Sequence, residues 1–251
     1  MSKFISKQSV ASWYAMTALL ATFLVGQVIL WFFPDGSSMG TSLLFILMNL
    51  IPLIVAAVFS LVLSEVNSLG EFFKKVFLQK ESSLSWILAF FIPVIYYGIS
   101  ILLMNVRFTG NSLLAFFIYF PWTLLYGGLE EVGWRWFLQD HLSYSKHFIP
   151  KMMLLSLVWF LWHIPIYQLP WITAGSSNYL IFYLMILGNA FLFGALKEYS
   201  KGAVPCILAH MLIDSLAVLM LVQSSLPQII LLVIFEILVA SWLVAARKSE
   251  K

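Results

Sequence analysis

Continuous apolar stretches of about 20 residues constrain the fold of this chain more than any other feature of its sequence. A helix rises about 1.5 Å per residue, so such a stretch spans the roughly 30 Å hydrocarbon core of a bilayer. Of the 251 residues, 62% are hydrophobic and only 10% are charged, whereas a soluble domain has about 25% charged residues. The sequence therefore predicts an integral membrane protein built from helices.

Eight apolar stretches predict an all-α, polytopic membrane protein with a bundle of about eight transmembrane helices. The predicted spans are roughly residues 11–33, 43–63, 84–104, 152–169, 179–196, 203–222 and 226–246, and the fourth span starts near residue 113. Pro121 is expected to kink that fourth span or to free a backbone carbonyl. The sequence shows no internal repeat and no soluble domain. We therefore treat residues 1–251 as a single transmembrane domain whose motifs lie within residues 130–214.

The distribution of positive charge predicts the orientation of the bundle. With the N-terminus inside, 13 of the 14 Lys and Arg residues, counting Arg135, fall on the cytoplasmic side and only Arg107 falls outside. This asymmetry follows the positive-inside rule. We therefore expect a multi-pass protein of the cell membrane with both termini in the cytoplasm. Membrane lipid is an expected partner, and the net charge of +3 indicates no nucleic-acid partner.

Ionisable residues occur inside three of the predicted spans, where charges are costly and so mark candidate functional sites. These residues are Glu130, Glu131 and Arg135 in the fourth span, His163 in the fifth, and His210 and Asp214 in the seventh. The helix rise places His163 about 18 Å, Asp214 about 16 Å and Glu130 about 15 Å below the cytoplasmic surface. Because the three depths agree, we predict that the three helices form one site.

Helical spacing predicts different roles for these residues. Glu131 and Arg135 are four residues apart, so they share a face and are expected to pair. Glu130 points about 100° away from Glu131 and is predicted to face the reacting water. A carboxylate in that position can take a proton from water and return it to a leaving amine. His210 and Asp214 also share a face, and they can orient or stabilise a carbonyl oxygen.

The ordered combination of these motifs resembles a known family. Glu-Glu-x-x-x-Arg, a histidine in an aromatic-x-x-x-His segment, and His-x-x-x-Asp are similar to the CAAX-processing and bacteriocin-processing intramembrane proteases, also called the Abi or CPBP family. The resemblance implies an eight-helix endopeptidase whose site lies in the bilayer and opens towards the cytoplasm. It implies that Glu130 and His163 activate water, and that His210 and Asp214 stabilise the oxyanion.

Two positions depart from the commonest form of the family pattern. Trp159 lies four residues before His163, where phenylalanine is usual, and it preserves an aromatic packing role. Asp214 occupies a position that is often asparagine. An ionised aspartate cannot donate to an oxyanion. Asp214 is therefore expected to be protonated, to orient His210 or to bind a cation.

Several alternatives stay open at the level of sequence. A divalent metal such as zinc, bound by Glu130, His163 and His210, would serve the same hydrolysis as water activation without a metal. A proton- or ion-coupled transporter, or a non-catalytic scaffold or immunity protein, would also use charges within a helical bundle. Glu236, in the middle of the eighth span, is interpreted as a group that pairs with another helix. The expected substrate is a peptide or membrane protein whose identity the sequence does not reveal.

Overall fold

The structure is a computed structural model. It describes residues 7–34, 36, 38–143, 147–169, 171–172, 178–223 and 225–249. Of the cations predicted to be cytoplasmic, Lys3, Lys146 and Lys251 lie outside these residues.

Within the described residues, helices dominate, as the all-α class predicts. The α-helices are α1 (Lys7–Phe32), α2 (Met39–Val62), α3 (Leu69–Phe77), α4 (Ser83–Leu102), α5 (Leu113–Thr123), α6 (Gln139–His141), α7 (Phe148–Tyr167), α8 (Tyr179–Tyr199), α9 (Val204–Leu216) and α10 (Leu226–Ser249). Two π-helical segments, π1 (Leu124–Gly128) and π2 (Val132–Leu138), lie between α5 and α6. Two short strands, β1 (Val106–Phe108) and β2 (Met220–Val222), follow α4 and α9.

Six of the described helices are long and apolar enough to cross a membrane, namely α1, α2, α4, α7, α8 and α10. The bent pair of segments Leu113–Gly128 and Val132–His141 passes the same test when it is counted as one span, which gives up to seven. The predicted span over residues 203–222 is wrong in its length, because α9 has 13 residues and ends at Leu216. A helix of that length rises about 20 Å, which is less than the roughly 30 Å hydrocarbon core. The chain is therefore a polytopic membrane protein in which α9 is a partial crossing.

α8 lies at the centre of the bundle. It contacts α7 and α10 along most of its length and also meets α4 and α9, and it is the most buried of the candidate spans. Large apolar side chains remain exposed on the outer helices, for example Trp31 on α1 and Trp242 on α10. An apolar outer surface of this kind suits contact with lipid acyl chains.

The connection between α2 and α4 fixes the start of α9. The Glu81 carboxylate accepts the backbone N–H groups of Lys201 (2.9 Å) and Gly202 (2.6 Å). The N–H group of Ala203 donates to the carbonyl of Val76 at the end of α3 (2.9 Å). These bonds satisfy backbone donors near the helix N-terminus, which have no partner within the helix. They hold in place the helix that carries His210.

β1 and β2 pair in an antiparallel ladder that joins the far ends of α4 and α9. Val106 lies opposite Val222, and the N–H group of Gln223 donates to the carbonyl of Asn105 (2.8 Å). The sheet lies at the end of the bundle that carries Arg107, opposite the ends that carry most of the lysines. Its pairing depends on the early end of α9, and the sequence analysis did not predict it.

Candidate active site

The acidic pair lies at a bend in the fourth predicted span. The helical axis turns by 46° between Gly128, at the end of π1, and Val132, at the start of π2. Glu130 and Glu131 form a short helical stretch between the two π-helical segments, directly after the turn at Leu129. Pro121, where a kink or a freed carbonyl was expected, lies within α5, and the bend comes later in the span. π-helical turns are rare and occur frequently at functional sites, which makes this bend a candidate site on backbone geometry alone.

Glu131 joins the two halves of a buried network. Its Oε2 accepts a hydrogen bond from Nε of Arg135 (2.7 Å), so the predicted pair forms. Its Oε1 lies 2.8 Å from Nδ1 of His210 on α9. Glu131 and Arg135 are both 0% exposed, and the guanidinium stacks 4.8 Å above the ring of Trp159. Glu131 therefore connects Arg135 on π2 to His210 on α9. A contact between two helices could not be predicted from residue spacing along one of them.

Glu130 makes a different set of contacts from its neighbour. Its Oε2 accepts indole N–H bonds from Trp134 (2.9 Å) and Trp159 (3.1 Å). Its Oε1 lies 3.5 Å from Nε2 of His210. The predicted separation of Glu130 from Arg135 agrees with this arrangement, because the arginine bonds to Glu131. One carboxylate oxygen is thus held by two tryptophans, while the other faces the imidazole.

His210 is surrounded by carboxyl groups. Because Glu131 accepts the bond from Nδ1, that nitrogen carries a proton and Nε2 is the ring nitrogen directed at the other acids. Nε2 lies 3.5 Å from Oδ2 of Asp214, as well as 3.5 Å from Oε1 of Glu130. Aromatic rings of Trp159 and Phe193 pack around the imidazole. The predicted grouping of His210 with Asp214 and with the acidic pair is therefore present.

His163 lies in the wall of a cavity of about 800 Å³ that also includes Trp159, His210 and Asp214. Its Nδ1 is 2.8 Å from the carbonyl of Trp159, and its ring packs against Phe182. Glu130 is not itself in the wall, but it contacts two wall residues, Trp159 and His210. Three of the six predicted residues, His163, His210 and Asp214, thus line one cavity. Glu130, Glu131 and Arg135 lie outside its wall and contact His210 or Trp159.

The exposed part of the cavity wall lies near the two-stranded sheet. The wall contains three exposed residues, Arg107, Leu221 and Gln223. All three belong to the sheet or adjoin it, at the end opposite the lysine-rich segments. The expectation that the site opens towards the cytoplasm stays a prediction.

Three further residues of the site were missed or misread at the level of sequence. Trp134 was not singled out, and Trp159 was interpreted as packing, yet both donate to Glu130. Trp134 lies four residues after Glu130, which was a signal available from helical spacing. Asn189 on α8 also lines the cavity, and its buried Oδ1 has no hydrogen-bond partner among the described residues. No sequence pattern pointed to Asn189.

Glu236 lies apart from this network. Its carboxyl group packs against Gly188 of α8, with both oxygens fully buried. Neither oxygen has a hydrogen-bond partner within the described part of the chain. The interpretation of Glu236 as one half of a polar pair between helices is therefore wrong.

The residues proposed as metal ligands do not fit a metal site. Glu131 engages one ring nitrogen of His210, and two indoles engage one oxygen of Glu130. Across the described ranges, no group of three His, Cys, Asp or Glu side chains is arranged to hold a metal ion. Zinc sites use three or four such ligands around one point, which Glu130, His163 and His210 do not provide together.

Comparison with known proteins supports the resemblance drawn from the motifs. The model of the Rce1-like family, described as type II CAAX prenyl endopeptidase Rce1-like, matches residues 111–216. This match covers a little under half of the chain and includes all six site residues. The predicted resemblance to the CAAX protease family is thereby confirmed over residues 111–216. No curated protein matches the chain.

Proposed function

Because residues 111–216 match the family of type II CAAX prenyl endopeptidases, we propose that this chain is an intramembrane endopeptidase in which Glu130 activates the hydrolytic water. The observation that carries the proposal is the contact between Glu130 and His210 beside a cavity that also contains His163 and Asp214. The hydrolysis takes place in the cell membrane, and both termini face the cytoplasm.

Glu130 acts as the general base through Oε1. Its other oxygen is engaged by Trp134 and Trp159, so the oxygen beside His210 is the one left for a water molecule. The carboxylate takes a proton from that water, and the oxygen of the water attacks the carbonyl carbon of the scissile peptide bond. The protonated Glu130 then gives the proton to the amide nitrogen as the C–N bond breaks. His163, on α7, is the second group that holds the water.

His210 stabilises the negative oxygen of the tetrahedral intermediate. Its Nδ1 is occupied by Glu131, so donation to the substrate must come from Nε2. Three carboxyl groups lie within 3.5 Å of the ring nitrogens, which balances the charge of a doubly protonated imidazole. In this arrangement Asp214 holds the Nε2–H group in place, because an ionised carboxylate accepts and cannot donate. Glu131 and Arg135 are positioning residues.

We expect a cleavage assay to test the proposal directly. The protein is reconstituted in lipid vesicles and screened with a library of quenched fluorescent peptides, beside a His163→Ala variant. The variant should cleave about 10²- to 10⁴-fold more slowly, because it loses one of the groups that hold and deprotonate the water. The control is His147→Ala, which removes an exposed histidine at the start of α7. Absence of cleavage by the parent, or equal rates in parent and His163→Ala, would contradict the proposal.

Removal of metal is expected to leave the cleavage rate unchanged. The described residues offer no three-ligand group, and the proposed general base already has three polar contacts. The purified protein should therefore hold much less than one zinc per chain by elemental analysis, and it should keep its rate after dialysis against a chelator. Stoichiometric zinc whose removal abolishes cleavage, and whose return restores it, would show that the metal-dependent mechanism is correct.

Gly127→Ala is expected to displace the side chains of Asp214 and His210. A Cβ atom at this position of π1 would lie 2.5 Å from Oδ2 of Asp214 and 3.1 Å from Nε2 of His210. The two side chains must move to make room, and a 1 Å displacement of reacting groups can cost about 10²-fold in rate. The matched control is Gly98→Ala in α4, where a Cβ atom meets nothing within 4 Å. The cleavage rates are compared at equal concentrations of folded protein. Similar rates for the two variants would contradict this prediction.

A further inference from the structure

Asn189 differs from the other side chains that α8 contributes to the cavity wall. The wall residues on this helix recur every three or four positions, as one face of a helix requires. They are Phe182, Met185, Ile186, Asn189 and Phe193. Asn189 is the one residue of this face that carries a carboxamide. In a mostly apolar wall, a single polar group of this kind fixes the orientation of a ligand.

The amide of Asn189 is also distinguished by its missing hydrogen bond. Among the described residues, several buried side chains have an N or O atom without a partner, and of these only Asn189 lies in the wall of the cavity. Its unpaired atom is the acceptor Oδ1. Burial of an unpaired polar group costs free energy, so such a group in a native fold calls for a role outside the fold. A ligand in the cavity would supply the missing partner.

Helical spacing places Asn189 between the two histidines of the candidate active site. Phe193, four residues later, packs against the ring of His210 with 5.3 Å between the ring centroids. Phe182, seven residues earlier, packs against the ring of His163 at 5.3 Å. Along the helix axis, Asn189 is about 6 Å from Phe193 and about 10 Å from Phe182. The amide therefore lines the part of the cavity that lies between the two imidazoles.

Both chain neighbours of Asn189 are fixed by contacts with other helices. Gly188 packs against the carboxyl group of Glu236 on α10. The carbonyl of Ala190 accepts a hydrogen bond from Nη1 of Arg135 (3.4 Å), which belongs to the buried network of the acidic pair. A side chain on a helix that is held in this way keeps its position when a ligand binds.

From these observations we propose that Asn189 is a substrate-binding residue, which pairs with the main chain of the peptide beside the scissile bond. This inference rests on the proposed peptidase function. A carboxamide has an acceptor and a donor side by side. Oδ1 accepts the N–H group of one substrate residue, and Nδ2 donates to the carbonyl of the same residue. Asn189 therefore selects an extended chain, and it excludes proline at that position because proline has no N–H group.

Asn189→Leu is expected to lower kcat/KM about ten- to hundredfold, the effect of losing two hydrogen bonds. Most of the loss should appear as a higher KM, because these bonds form when the substrate binds. Thermal unfolding should not become easier, since Oδ1 has no partner within the described fold. The control is Asn105→Leu, which removes another buried, unpaired amide that is not in the cavity wall. Its kcat/KM should match that of the parent.

Peptides that contain one ester test the bond itself. In each substrate an ester replaces one amide near the scissile bond, and so removes one N–H group. With the parent protein, one position should lower kcat/KM about tenfold. With Asn189→Leu, the ester at that position should have no further effect, because both changes remove the same hydrogen bond. Proline at that position should be as poor as the ester for the parent.

The outcomes separate this proposal from the peptidase function. Unchanged kcat/KM in Asn189→Leu would overturn the proposal, and so would losses that multiply with the ester effect at every position. If Asn189→Leu does not fold, Asn189→Ala also removes the amide and is read in the same way. Reduced stability with an unchanged KM would show that the amide supports the fold alone. Absence of cleavage by the parent would refute the peptidase function, and this assignment with it.

Discussion

Glu130→Gln is expected to lower peptide cleavage by about 10²- to 10⁴-fold, because an amide cannot take a proton from water. The substitution keeps the shape of the side chain. Its amide oxygen can still accept the indole bonds of Trp134 and Trp159, so the fold should persist. Cleavage by reconstituted protein and thermal unfolding in detergent, measured on the same preparation, separate loss of chemistry from loss of structure.

Glu236→Gln provides the control for this experiment. Both glutamates are buried in membrane-spanning segments, but Glu236 packs against Gly188 of α8 and does not line the cavity. The described residues offer its oxygens no hydrogen bond, so an amide there gives up no contact. We expect cleavage close to that of the parent. Full activity in Glu130→Gln, or equal losses in both variants, would remove Glu130 from the role of general base.

Arg135→Met is expected to destabilise the fold by about 3–5 kcal/mol, because it leaves a buried carboxylate without its counter-charge. Arg135 and Glu131 are both fully buried and joined by a 2.7 Å bond. Glu131 would keep only the contact with His210. The free energy of unfolding in mixed micelles, measured by titration with a denaturing detergent, gives the size of the effect.

Two comparisons separate this effect from a general loss of charge. Lys75→Met removes the cation of another glutamate pair with the same four-residue spacing, Glu71–Lys75, which lies at the surface on α3. The pKa of Glu71 is lowered to about 2, mainly by the hydrogen bond from the backbone N–H of Asn67. Water replaces Lys75 at this exposed position, so the free energy of unfolding should change little. The double variant Glu131→Gln with Arg135→Met should recover stability without recovering cleavage. Similar unfolding of Arg135→Met and the parent would show that the pair is not structurally important.

Relations within one helix were predictable because helix geometry sets them. The pairing of Glu131 with Arg135 follows from their four-residue spacing, and so does the different direction of Glu130. The common depth of residues on three helices followed from the rise per residue, and the structure places His163 and His210 around one cavity. Apolar length and charge asymmetry also determined the membrane class and the expected orientation. These properties depend on local sequence alone.

Relations between helices required the tertiary structure. Helix rotation and the bend between π1 and π2 decided that Glu131 would reach His210 and that two tryptophans would hold Glu130. The pairing of β1 with β2, two segments more than 100 residues apart, depends on the early end of α9. That pairing brings Arg107 and Leu221 together in the exposed part of the cavity wall. A sequence specifies which groups enter the bilayer, but the packing of one helix on another decides which groups meet and from which side water reaches them.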